Sequence, residues 1–168
     1  VLRIRAWPLE LVNGRPIEGA FIGEEIGELA PQVAPDLFRG FNASNFPTSS
    51  LPSLALTAAA YDVSAAVGEQ VAMELRRHLF ERGHDIGDPA VLQEIGDAAG
   101  VAVPTDHASV FAEWRLGRQL GVVGSPHFFV GGESVFCPVL DISRDAEHHL
   151  RVRVDDVAME HLLGLCFG

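Results

Sequence analysis

Lysine is absent from these 168 residues, so every fixed positive side chain is an arginine. The 12 arginines face 23 aspartates and glutamates, giving a net charge of −11 and a pI near 4.9. The arginines are scattered, with Arg76-Arg77 the only adjacent pair. That balance argues against nucleic acid or an anionic membrane as a main partner. Cysteine is scarce: there are two, Cys137 and Cys166, with no C-x-x-C and no zinc-ligand spacing. The expectation for both is a buried, inert thiol. No apolar run reaches the ~18 residues of a membrane span. The longest, "LPSLALTAAAYDVSAAV" (51–67), is broken by Pro52 and Asp62 and reads as core helix. No Gly-rich phosphate loop occurs, and no signal peptide is expected. The chain opens at Val1, without methionine, inside a strand-like run, so the expectation is that a natural N-terminus has been lost. A cytoplasmic location is favoured.

Apolar residues make up 48% of the chain, enough to build a core. "VLRIRAWPLE" (1–10) alternates, with Leu2, Ile4 and Ala6 against Arg3 and Arg5, and reads as a strand with one covered face. Asn13-Gly14 marks a turn. Phe21, Ile22, Ile26 and Leu29 predict a helix over 18–30. Residues 34–50 read as a long loop pinned by Phe38, Phe41 and Phe46. Four helices are predicted next: from a Ser49 or Ser50 cap through about Ala66, over 67–83, over 87–100, and over 104–121. The third has the clearest termini, with Asp88 as N-cap, Pro89 at the first helical position and Gly100 as the stop. Thr105 is expected to cap the fourth, which ends at Gly121. The pattern then switches to period two. "PHFFV" (126–130) and "ESVFCPVL" (133–140) predict a hairpin turning at Gly131-Gly132. Residues 144–153 read as polar, and 155–165 as a closing helix started by Asp155 or Asp156. A lone strand, a helical block and a hairpin sharing one sheet make an α/β sandwich with a helical insertion.

Ser125-Pro126 stands out at the mouth of that hairpin. Proline removes a ladder donor and is the residue that tolerates a cis bond. The residues alone leave cis and trans both open. A cis bond would offer the Ser125 backbone to an external extended chain.

"GVVGSPHFFVGGESVF" resembles the cis-proline loop and following hairpin of thioredoxin-fold proteins. With "RIRAWPLELVNG" before the helical block and "LFERGHDIGDPAVLQEIGDAAGV" inside it, the layout is similar to the DsbA-like group. Its FrnE-like branch is related to 2-hydroxychromene-2-carboxylate isomerases and kappa-class glutathione transferases. The resemblance implies a thioredoxin-like domain formed by residues 1–14 and 121–168, interrupted by a helical insertion domain at 15–120. It also implies thiol–disulfide exchange on protein thiols and disulfides, without a cofactor. Gly124, Ser125 and Pro126 would form the substrate-binding loop, with Val123, His127 and Trp7 bordering the groove. The family's first strand, C-x-x-C loop and helix are not in this sequence; such a segment would take about 25 residues. The catalytic dithiol is therefore expected outside this chain. Cys137, at the far end of the returning strand and about ten residues from Pro126 by sequence, is not expected to substitute for it. A glutathione-dependent isomerase or transferase on the same scaffold and a non-catalytic peptide-binding relative are the alternatives. A homodimer is compatible with all three.

The remaining candidates read more simply. By alternation His127 is expected on the strand face away from the loop's ligand. Adjacent His148 and His149 point apart and have no third ligand at suitable spacing, so no metal is expected. Trp7 and Trp114 read as core aromatics, Trp7 near the groove. Glu24-Glu25 and Asp155-Asp156 read as solvated helix surface.

Overall fold

The computed structural model describes all residues except Val1, Val139 and His148. Among the described residues it contains seven α-helices and two separate two-stranded antiparallel sheets. The chain is thus a mixed helix–strand protein.

The helical block forms the centre. Helices α3 (Leu51–Val63), α4 (Ala65–Phe80), α5 (Pro89–Ala99) and α6 (Ala108–Leu120) follow one another, after α1 (Leu9–Asn13) and α2 (Gly19–Val33). Leu56 and Ala60 of α3, Val71 and Leu75 of α4, Leu92 and Ile95 of α5, and Val101 make the main core cluster. Asp88 caps α5 by accepting from the Ala90 N–H at 2.7 Å, Pro89 occupies its first position, and Gly100 ends it in the left-handed region, as expected. Gly121 ends α6 in the same way. The α6 start differs from expectation. The cap is not Thr105; instead the Asp106 carboxylate accepts from the Ala108 N–H at 2.9 Å. The α3–α4 boundary also lies earlier than the apolar pattern suggests. Ser64 breaks the helix in extended conformation and caps α4 by accepting from the Val67 N–H.

At the α3 start neither serine acts alone. Glu10 of α1 reaches across and accepts from Ser49 Oγ (3.1 Å), Ser50 N (2.7 Å) and Ser50 Oγ (2.8 Å). Burial pushes its carboxyl up, but hydrogen bonds from its own backbone N–H and then from Ser50 and Ser49 outweigh it and hold the pKa below the ordinary 4.5. A depressed carboxyl stabilises the fold above its unfolded value, and that stability is lost as pH falls through the folded value. Glu10→Gln is expected to cost about 1–2 kcal/mol at pH 7 and to flatten the acid side of the stability curve below pH 4.5. Urea titrations at pH 7 and pH 3.5 check both; an unchanged curve would remove Glu10 from this role.

Two expectations about strands require correction. Residues 2–8 form neither helix nor strand and pair with no strand among the described residues. The Ala6 N–H donates to the Glu113 carboxylate of α6 at 2.6 Å, while Arg5 and Arg3 lie 3.2 and 3.8 Å from the same side chain. A side chain thus takes the place of a neighbouring strand. The single sheet linking this segment to the hairpin is not formed. The second correction concerns the C-terminal region. The hairpin of β1 (His127–Val130) and β2 (Glu133–Phe136) turns at Gly131 and Gly132, with φ of 60° and 85°. β2 stops at Phe136, however, and a second hairpin follows, β3 (Leu140–Arg144) with β4 (Leu150–Val154), where a polar stretch was expected. Asp145 holds its turn by accepting from the Glu147 and His149 N–H groups.

The open edge of β4 is covered by side chains of α2. Gln32 donates to the Leu150 carbonyl (3.0 Å) and accepts from the Val152 N–H (3.1 Å), and Glu28 accepts from the Leu150 N–H (2.5 Å). These contacts satisfy edge groups that would otherwise template pairing with another chain. Helix α7 (Asp156–Phe167) closes the chain, capped by Asp155, which accepts from the Ala158 N–H. No helix among the described residues is long and apolar enough to cross a membrane.

Candidate functional site

The site is built where the N-terminal segment, the helical block and the loop before the first hairpin meet. A cleft of about 340 Å³ opens there. Ile4 and Trp7 of the N-terminal segment supply apolar wall, as do Leu54 of α3 and Leu75 and Leu79 of α4. Its polar groups include Glu10, already committed to the α3 start, and Arg76, which makes no ion pair among the described residues. Ser125 lines the same cleft.

The Ser125–Pro126 peptide bond is cis. Ser125 is exposed, and neither its backbone nor its hydroxyl is hydrogen-bonded to a described residue. Gly124 lies close against the Phe136 ring: a Cβ there would lie 2.6 Å from it. Val123 is 73% exposed. Trp7 is held from behind by α6, where its six-membered ring edge lies so close to Gly117 that a Cβ at that position would come within 2.8 Å. Its Nε1 is buried without a hydrogen-bond partner among the described residues.

His127 is fully occupied. The Val123 N–H donates to Nδ1 at 3.3 Å, so the ring proton sits on Nε2 and points to Ser134 Oγ at 2.7 Å. The ring stacks on Phe129 at 4.5 Å and meets Phe136 edge-on. Neither nitrogen is left for proton transfer. His149 is engaged with Glu28, and His148 lies outside the described residues. No cluster of three or more His, Cys, Asp or Glu side chains suited to a metal forms among the described residues.

Comparison of the chain with protein-family models, with curated proteins and with solved structures gave no match. The site must therefore be interpreted from its own geometry.

That geometry brings one residue back that sequence distance had set aside. Cys137 was expected far from Pro126. The β1–β2 register pairs His127 with Phe136, which returns Cys137 to the position opposite Pro126. The Cys137 N–H donates to the Pro126 carbonyl at 2.9 Å, its backbone has φ of 43°, and its Sγ faces the Leu140 carbonyl at 3.5 Å. A two-residue Gly-Gly turn was the available signal, since a tight hairpin brings equidistant residues together. Cys166 also departs from expectation: it is exposed near the end of α7, not buried. Both thiols are free.

Proposed function

We propose that this chain carries the substrate-facing part of a thiol–disulfide oxidoreductase of the DsbA/FrnE type. The observation that supports it is the state of Ser125. It lines an apolar cleft together with Trp7, and its backbone N–H and C=O have no partner among the described residues. An extended peptide laid along Gly124–Pro126 would satisfy those groups by strand addition and place an apolar side chain in the cleft. The reaction would be attack of a thiolate on a substrate disulfide. One sulfur forms the mixed disulfide and the other leaves as thiolate, and a second thiol then resolves the intermediate. The sequence has no C-x-x-C, so the dithiol belongs outside these residues in this reading. Ser125 would position the substrate beside it.

The test is insulin disulfide reduction by the full natural protein against Ser125→Arg, which fills the loop edge without touching the helical core. Activity at subsaturating insulin is expected to fall by about tenfold or more, the loss of roughly 1.4 kcal/mol of binding. In parallel, an unfolded disulfide-bearing peptide titrated into the chain should shift the amide resonances of Gly124, Ser125 and His127 and alter Trp7 fluorescence. Unchanged turnover in Ser125→Arg, or shifts confined to other surfaces, would overturn the reading.

A further inference from the structure

Two residues before the end of α4 sits a histidine that the cleft does not use. His78 is 2% exposed. The Arg82 guanidinium contacts its Nε2, and its Nδ1 lies 3.1 Å from Nδ1 of His84. Arginine has donors only and keeps its charge. Nε2 must therefore carry the lone pair, and the proton on Nδ1 is donated to His84. The ring is neutral in this arrangement. Carboxylates also face it: Glu74, one turn earlier on α4 and 3.4 Å from Arg82, and Glu94 on α5. Glu74, His78, Arg82 and Glu94 line a pocket of about 180 Å³. Burial first, then Arg82, hold the imidazole below its ordinary 6.5 against the opposing pull of Glu94 and Glu74; His84 adds to the downward push.

The turn that Arg82 and His84 belong to is a joint. The His84 N–H donates to the His78 carbonyl at 2.9 Å. The Gly40 N–H donates to the Phe80 carbonyl at 3.2 Å, Asn45 Nδ2 to the Gly83 carbonyl at 2.8 Å, and the Phe38 N–H to Glu81 at 3.1 Å. Phe38 and Phe41 pack on Phe80. Leu79, Phe80 and Ile86, on either side of the turn, line the cleft.

We propose that His78, Arg82 and His84 form an acid-released latch on the cleft wall. Protonation puts a second N–H on the ring, facing a guanidinium that can only donate. Two donors and two positive charges then face each other with no acceptor between them, the contact breaks, and the 81–87 turn loses one of the contacts that hold it. The direction follows from linkage. The native state excludes a proton that the released state accepts, so the latch is fully closed above the ordinary value of 6.5 and weakens as pH falls from there toward the folded value. This window lies above the one in which Glu10 titrates, so the two effects separate. The latch does not depend on what the cleft binds.

The experiment is amide hydrogen exchange on the chain between pH 7.5 and pH 5, read as protection factors so that intrinsic exchange is divided out, together with histidine ring titration by NMR. Protection at His84 and Gly40 is expected to fall by up to about tenfold per pH unit below 6.5, the limit for one proton. Protection within α6 should stay level. His78→Gln keeps an acceptor for Arg82 and a donor for His84 but cannot titrate, so its protection should be flat with pH. If that variant does not fold, Arg82→Gln serves instead: its amide oxygen accepts from a protonated ring, so His78 should titrate higher and the pH dependence should shrink. A His78 that titrates at or above 6.5, protection lost evenly along the chain, or a His78→Gln protein with wild-type pH dependence would overturn the proposal.

Discussion

Leu56→Ala is expected to cost about 2–5 kcal/mol and to lower Tm by roughly 5–15 °C. Leu56 has 0% exposure and sits among Ala60, Val71, Leu75, Leu92, Ile95 and Val101, drawn from α3, α4, α5 and the segment after α5. Its side chain also reaches toward Gly96, where a Cβ would lie 3.7 Å from Leu56 Cδ1. Three helices converge on the removed methyls, so none can move in without leaving another. The loss is therefore the transfer free energy plus most of a cavity, at the upper part of the range for such substitutions. Urea unfolding followed by circular dichroism measures it, with an unchanged m-value marking a stability effect and not a change of state. A cost below 1 kcal/mol would mean that α3 is not the centre of the core.

Glu113→Ala is expected to cost about 2–4 kcal/mol and, unlike the core variant, to act through the site. The Glu113 side chain is 10% exposed. It accepts the Ala6 N–H at 2.6 Å and faces Arg5 and Arg3. The two arginines are solvated enough that each pair contributes little. The larger part is the Ala6 N–H, on a residue 5% exposed, which loses a charge-assisted bond and is left buried without an acceptor. Trp7 follows directly in sequence, so its wall of the cleft should loosen. In a Trp114→Phe background the remaining tryptophan emission should shift to the red in Glu113→Ala. Glu113→Gln, which retains an acceptor, should recover roughly half of the stability. A Glu113→Ala protein within about 0.5 kcal/mol of wild type, with unshifted emission, would show that the N-terminal segment is held by its apolar contacts alone.

The helical block was legible because its signals are local. Asp88, Pro89 and Gly100 each act within a turn of their own residue, and the structure uses all three at α5. Gly131-Gly132 is equally local and turns the first hairpin. The 3₁₀ turn at Ala43–Asn45 apart, the irregular 34–50 segment with its three phenylalanines is also as the sequence suggests. Where the reading failed, the deciding partner lay far along the chain. Alternation in residues 2–6 is real, but a strand requires a neighbouring strand, and Glu113 answers the Ala6 N–H instead. In 144–153 the alternation of Leu150 and Val152 against Arg151 and Arg153 was present. The charges hid it, because the covering face comes from α2, about 120 residues earlier. Ser49 and Ser50 were recognised as the place where α3 begins, whereas Glu10, which fixes that start, gave no local sign.

Of the candidate site, the sequence by itself determined Ser125-Pro126 and Trp7 as residues to watch, because proline chemistry and the loop's glycines are written in adjacent positions. Only the tertiary structure decided that Ser125 and Trp7 line one cleft, that His127 is spent on Val123 and Ser134, and that Cys137 returns to Pro126. Backbone conformation follows from neighbours within a few residues, whereas which side chains meet depends on how separate elements bury their apolar faces together.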